Sequence, residues 1–300
     1  MENKNLENLK RRYELLSDST KAILLGLLLG DGSLKIHKGY KNARMSFRHS
    51  IKQKEYFEWK RDMLRGELSA GVDTWYQEDK TGAEFGKEKL RYQSGAKPSL
   101  TYLYELTYKG SKSGELVIRR TWLNEMTPLS LAVWWCDDGS LMNGRQGVFS
   151  TDGFNLEGVT ILDRYMKKVW GITTEVRANQ GLIKLIKKNG DARYRLWIKT
   201  EEDLRKFLLL IMPHIPTKTM IKKVLLLYKD AELQQRWISE IVARTRFTKE
   251  EVEEVCAARK QEIKAFKIRE CESPLEGRIR EWYSPLLVTS NYWGYIGGPW

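Results

Sequence analysis

Two short apolar runs punctuate this 300-residue chain, and each ends in an Asp-Gly step. Leu24–Gly32 reads Leu-Leu-Gly-Leu-Leu-Leu-Gly-Asp-Gly, and Leu131–Gly139 reads Leu-Ala-Val-Trp-Trp-Cys-Asp-Asp-Gly. Each run predicts an apolar helix whose end is marked by glycine. Around the first run, Leu6–Leu16 predicts a helix. Ser17-Asp18-Ser19-Thr20 then offers N-cap chemistry for a helix over Lys21–Leu29. Alternation over Asn42–Ile51 predicts a strand, with Ala43, Met45, Phe47 and Ile51 on one face and Arg44, Ser46, Arg48 and Ser50 on the other. His49 is the one break in that pattern. Lys54–Leu68 predicts a helix with Phe57, Leu64 and Leu68 facing a core. Strands are expected near Val72–Gln77 and Thr101–Lys109. The Gly-, Lys- and Glu-rich stretch between them, Asp79–Pro98, is expected to be a long hairpin or loop.

The pattern then restarts. Thr127-Pro128 places an N-cap before proline at the first helical position, opening a helix over Leu129–Cys136. A strand is expected at Gly147–Thr151. A helix over Leu156–Trp170 carries an apolar stripe of Leu156, Val159, Leu162, Tyr165, Met166 and Val169, with Gly171 past its end. Leu182–Lys188 and Arg193–Lys199 predict a hairpin around Asn189-Gly190, and Thr200 caps a helix that Pro213 ends. The order of the first half thus recurs, with Asp31 and Asp138 107 residues apart. This is the signature of an internal duplication. The remainder predicts an amphipathic helix over Met220–Ala243 and a charged helix through Lys267. The second opens on the capping box Thr248-x-x-Glu251. An aromatic and glycine-rich stretch, 291–300, comes last. The expected organisation is 1–125, 126–229 and 230–300: two α/β repeats and a helical extension.

Composition narrows the partner. The chain carries 52 Lys+Arg against 39 Asp+Glu, a net +13 with a pI near 9.5. Such a balance suits a polyanion, nucleic acid or an anionic membrane. The 11 Trp, 14 Tyr and 8 Phe argue against disorder. Residues 230–300 hold 11 Lys/Arg and 12 Asp/Glu, so 41 and 27, a net +14, lie before Asp230. Three separated His and three separated Cys, with no CxxC or HExxH, argue against a structural zinc and a disulfide framework. The first twelve residues lack an apolar signal core, and the longest apolar run, Ala22–Leu29, is too short to cross a bilayer. An intracellular protein, in a bacterial cytoplasm or an organelle, with nucleic acid and not a membrane as partner, is expected.

The two runs carry candidate chemistry. Small residues four apart, Gly26 with Gly30 and Ala132 with Cys136, allow two helices to approach closely. Such packing would bring Asp31 and Asp138 together. Two nearby carboxylates repel unless a cation lies between them. Oxygen ligands completed by water suit Mg²⁺. Beside a basic sheet, that arrangement describes metal-assisted phosphodiester hydrolysis. The alternative for either motif alone is a plain helix-ending turn. A carboxylate at the negative end of a helix dipole, twice, calls for a further reason.

These residues resemble the LAGLIDADG homing endonucleases, specifically the monomeric type with two motifs in one chain. The resemblance covers about Lys21–Val224. It is strongest in Leu24–Leu34, in Met126–Ser140 with its Thr-Pro lead-in, and in Phe149–Glu157. It implies two αββαββα units related by a pseudo-twofold, their sheets forming a DNA-binding saddle. It also implies divalent metal at the centre, Mg²⁺-dependent cleavage of both strands of a long asymmetric site, and action as a monomer. Carried over, Asp31 and Asp138 are the metal carboxylates, and the carbonyls of Gly30 and Asp137 are further ligands. Lys223 is the basic residue near the second site, with Lys222 one position away. In the first half the corresponding position falls near Lys112 or Glu115, and Lys112 is the candidate. By alternation, Arg44, Ser46 and Arg48 from the first sheet and Lys184, Arg193, Arg195 and Lys199 from the second are expected to contact DNA, mostly at phosphates. The alternatives on the same fold are an intron maturase, with intron RNA as partner, and a DNA-binding protein that does not cut.

Overall fold

The computed structural model describes residues 2–69, 71–78, 88–111, 114–142, 145–178 and 193–272. They form two compact units divided after Asp137.

In the first unit, α1 (Glu2–Glu14) leads to α2 (Asp18–Leu29). Ser17 caps α2 by accepting the N–H of Thr20, and every residue from Ala22 to Leu29 is buried. Strands β1 (Ser33–Lys35) and β2 (Arg44–Ser50) follow, then α3 (Lys54–Leu68), β3 (Thr74–Glu78), β4 (Glu88–Gln93), α4 (Pro98–Tyr108) and the single turn α5 (Arg120–Leu123). The sheet is antiparallel in the order β1-β2-β4-β3. The helix α6 (Pro128–Asp138) closes this unit with all but its last residue.

The second unit repeats the plan. Strands β5 (Gly139–Met142) and β6 (Gln146–Phe149) are followed by α7 (Leu156–Tyr165), which runs into a π-turn, Met166–Trp170. Then come β7 (Thr174–Ala178), β8 (Tyr194–Ile198) and α8 (Glu201–Ile211). The sheet order is β5-β6-β8-β7, the order of the first sheet. With α2 and α6 as leading helices, the chain is a tandem pair of αββαββα repeats. The extension α9 (Ala231–Arg244) and α10 (Lys249–Glu272) follows.

Most expected elements are present within a few residues, and α3 has the expected bounds. Three expectations are corrected. The strand expected at Thr101–Lys109 is helix as far as Tyr108. Its Thr and Tyr residues favour a strand, but Pro98 starts a helix and Leu100, Leu103 and Thr107 recur at helical spacing on a buried face. The supposed loop 79–98 contains β4, the partner of both β2 and β3. Met220–Ala243 is not one helix. A 3-10 stretch, Lys218–Lys223, gives way to extended chain before Asp230 caps α9 by accepting the N–H of Leu233. Side chains of α9 hold that chain instead. Trp237 Nε1 donates to the Val224 carbonyl at 3.0 Å, and Gln234 Nε2 donates to that of Leu226 at 3.1 Å. Strand β7 was not anticipated, and the Asn189-Gly190 turn and 291–300 lie outside the described residues.

Candidate metal centre and nucleic-acid interface

Helices α2 and α6 pack at van der Waals limits. A Cβ on Gly26 would lie 2.5 Å from the Ser130 carbonyl oxygen and 2.7 Å from Val133 Cβ. One on Gly30 would lie 2.6 Å from Asp137 Cβ. Glycine is therefore required at both places by the neighbouring helix. Asp31 follows Gly30 at the end of α2, and its side chain is 41% exposed.

Against this end lies a buried polar cluster. Asp137 Oδ2 accepts the N–H of Asp31 at 3.2 Å, and Oδ1 accepts from Lys60 Nζ at 2.7 Å. Both Lys60 and Asp137 side chains are fully buried. The Lys60 ammonium also stands over the rings of Tyr56 and Phe47, at 4.4 and 4.8 Å. Such placement partly offsets its lost hydration. His49 Nδ1 lies 2.8 Å from Gln53 Oε1 and 3.8 Å from Asp31 Oδ2, and its Nε2 lies 4.0 Å from Asp137 Oδ1. Burial, and then the Asp137 charge, push the Tyr56 hydroxyl well above its usual range. Its Oη donates to the Val133 carbonyl at 3.3 Å.

Asp31, His49 and Asp137 offer one ligand atom each within 4.8 Å of one another. What already engages each group tests whether a divalent cation suits it. Asp137 receives an ammonium and an amide, so a cation's place on that carboxylate is filled by Lys60. The solvent-facing Asp31 carboxylate, a hard oxygen donor at a helix end, fits Mg²⁺. The charge that Lys60 answers is that of Asp137, not of the Asp31 and Asp138 pair singled out in the sequence.

Gly30, Asp31 and Asp137 thus come together in the first unit. In the second, half-buried Asp138 ends α6 and its carbonyl accepts the N–H of Ser150 at 3.0 Å. Lys223 Nζ donates to the next carbonyl, Gly139, at 2.7 Å. Lys222, its neighbour, is held below the usual lysine range by burial and by Lys223. Lys112 and Lys184 lie outside the described residues.

The sheet faces carry the expected polar rows. Arg44, Ser46 and Arg48 share one face of β2, and the other face is buried. Register adds residues that the loop expectation hid: Lys89 opposite Ser50, Arg91 opposite Arg48, and Gln93 opposite Ser46. On β8, Arg195 is held by Asp152 through Nε at 3.2 Å and Nη2 at 3.0 Å. Lys199, just past the strand, pairs with Glu175 at 3.3 Å, and Arg193 lies one residue before it.

Two αββαββα repeats, each led by an apolar helix that closes on Asp-Gly, define the two-motif homing-endonuclease class of fold. The chain belongs to the LAGLIDADG DNA endonuclease family, whose profile matches residues 21–203. The Protein RecA of Mycobacterium shimoidei is 33% identical over 135 residues, 45% of this chain and 29% of that one. The Protein RecA of Mycolicibacterium fallax is 29% identical over 204 residues, 67% of this chain and 45% of that one. The cytochrome b mRNA maturase bI2 of Saccharomyces cerevisiae is 26% identical over 177 residues, 57% and 41% of the two chains. The chain therefore spans less than half the length of these relatives. The homing endonuclease I-WcaI, solved bound to its DNA recognition sequence, superposes with a TM-score of 0.58 at 22% identity. That match covers 74% of this chain and 92% of the other. Among the described residues no helix is long and apolar enough to cross a membrane.

Proposed function

We propose that this protein is a site-specific DNA endonuclease that makes Mg²⁺-dependent double-strand breaks at a long asymmetric target, acting as a monomer. The observation that carries the reading is the duplicated helix ending in Asp-Gly within a matched DNA endonuclease family. Asp31 and Asp138 would hold divalent cations, with the carbonyls of Gly30 and Asp137 as further ligands. A bound cation there supplies Lewis-acid stabilisation of the phosphoryl oxygens. Lys223, tethered beside Asp138 through the Gly139 carbonyl, orients water near the second carboxylate. Lys112 is the corresponding candidate in the first repeat. Arg44, Ser46 and Arg48, with Lys184, Arg193 and Lys199, hold the duplex, mainly by phosphates. Arg195, braced by Asp152, presents a fixed guanidinium.

The test is a cleavage selection from a randomised duplex library with Mg²⁺, comparing the wild type with Asp31→Asn and Asp138→Asn. Wild type should cut a recoverable sequence, and each variant should lose cutting by at least a hundredfold while still binding that sequence. Tight binding without any cutting by the wild type removes the nuclease reading. The maturase likeness, 26% over 57% of this chain, supports a second reading in which intron RNA is bound. Faster splicing of an intron transcript on adding the protein would favour it.

A further inference from the structure

We infer that Lys60 is a positioning residue that sets the first-repeat carboxylate, Asp31, by way of Asp137. The inference rests on the proposed metal role of Asp31. Lys60 cannot be a phosphate contact, because its side chain is fully buried. It sits on the apolar stripe of α3 with Tyr56, Phe57, Leu64 and Leu68. A lysine there needs a partner, and Asp137 Oδ1 at 2.7 Å is that partner. The other oxygen of the same carboxylate accepts the N–H of Asp31. Gly30 lies so close to Asp137 that no Cβ fits between them. The end of α2 is therefore seated directly on a carboxylate whose charge Lys60 holds in place.

The second repeat does not carry the device. Lys60 is the seventh residue of α3, and the seventh residue of α7 is Leu162, a buried core side chain. Among the described residues, the buried lysine–carboxylate pair thus lies under the first Asp-Gly, whereas at the second the Lys223 ammonium bonds the Gly139 carbonyl instead. Without Lys60, Asp137 would be a buried carboxylate lacking its counter-charge. It would turn away from the core or draw another cation to itself. Each outcome disturbs the seat of Asp31.

The test separates positioning from plain structure. Lys60→Met combined with Asp137→Leu replaces the pair by apolar side chains of similar shape, so no charge is stranded. Mn²⁺ bound to the protein on a DNA duplex is counted by electron paramagnetic resonance, with Asp31→Asn as the reference for loss of the first site. Single-turnover cleavage and DNA affinity are measured alongside. The double variant should fold and bind the duplex within about twofold of wild type, yet lose Mn²⁺ at the Asp31 site and cut at least tenfold more slowly. Lys60→Met alone should show the same loss where it folds. A double variant that fails to fold, or that binds Mn²⁺ as wild type does, overturns the inference. So does an Asp31→Asn protein with unchanged Mn²⁺ binding. If wild type binds Mn²⁺ at Asp31 but never cuts, the nuclease reading fails while the role of Lys60 is still decided by the metal count.

Discussion

Gly30 is the residue whose replacement should be felt most sharply for its size. Its added methyl would meet Asp137 Cβ at 2.6 Å, inside a buried ion-pair cluster that has no slack. Gly30→Ala should therefore destabilise the first unit by about 1–3 kcal/mol, the usual cost of overpacking. Gly66, in α3 with nothing within 4 Å of its would-be Cβ, is the control. Gly66→Ala should raise stability slightly. Equal thermal shifts in the two variants would sink this account. Asp73 makes a pH-dependent contribution. Arg65 donates to it through Nε and Nη2 at 2.9 Å each, Ser69 at 2.6 Å and Thr74 at 2.9 Å. The Arg65 hydrogen bonds lead the effects that hold its carboxyl well below the ordinary value of 3.8. A carboxylate whose folded value is depressed stabilises the fold above its unfolded value and ceases to as pH falls through the folded one. Wild type should then exceed Asp73→Asn in melting temperature at pH 7, and the gap should narrow steadily below pH 4. A gap independent of pH would contradict it. The same scale shows what the sequence displayed without being understood. His49 breaks an otherwise clean alternation, and Lys60 interrupts an apolar helical stripe. Only His49 stood out as a misfit, and nothing in the spacing said that Asp137, 77 residues beyond Lys60, was the lysine's partner.

At the scale of elements, legibility followed period and length. Helix α3 and the capped starts of α2, α8 and α10 were readable because caps and a 3.6-residue stripe agree there. Thr200 accepts from Asp203, and Thr248 and Glu251 exchange hydrogen bonds as a capping box should. Helix α4 was harder to read, because its Thr and Tyr residues prefer strands and compete with the signal of Pro98 and the Leu100, Leu103 and Thr107 spacing. Strand β4 was hidden by the glycine-rich stretch before it, although Lys89-Leu90-Arg91-Tyr92-Gln93 alternates. The extension was the least legible element, because its value lies in what it grips. Trp237 is buried and bonds the Val224 carbonyl, and Lys218 pairs with Glu254 of α10 at 2.6 Å. Together these hold the segment that carries Lys223. Trp237→Ala should cost the second unit about 3–5 kcal/mol, as loss of a buried tryptophan usually does. Chemical denaturation followed by a probe in the second unit measures it. A loss below about 1 kcal/mol would mean that α9 does not brace this segment.

On the scale of the whole molecule, charge is the governing quantity. The net +14 before Asp230 is set against a nearly neutral 230–300. Counterion release makes the logarithm of affinity fall with the logarithm of salt, by about 0.9 per phosphate neutralised. A basic side chain with no ion pair among the described residues and a paired one should then behave differently. Arg48 is exposed on β2, whereas Arg195 is already neutralised by Asp152 with its side chain only 11% exposed. Arg48→Ala should reduce the salt slope by about 1, while Arg195→Ala should leave it nearly unchanged. Binding isotherms of a cleavable duplex, taken in Ca²⁺ to prevent turnover across a range of salt, decide the matter. The contrast matters more than either value, because a general loss of folding would lower both affinities without separating their slopes. Equal slope changes would mean that the Asp152 pair opens on binding, and that the charge of the molecule, not its pairing, sets the grip on DNA.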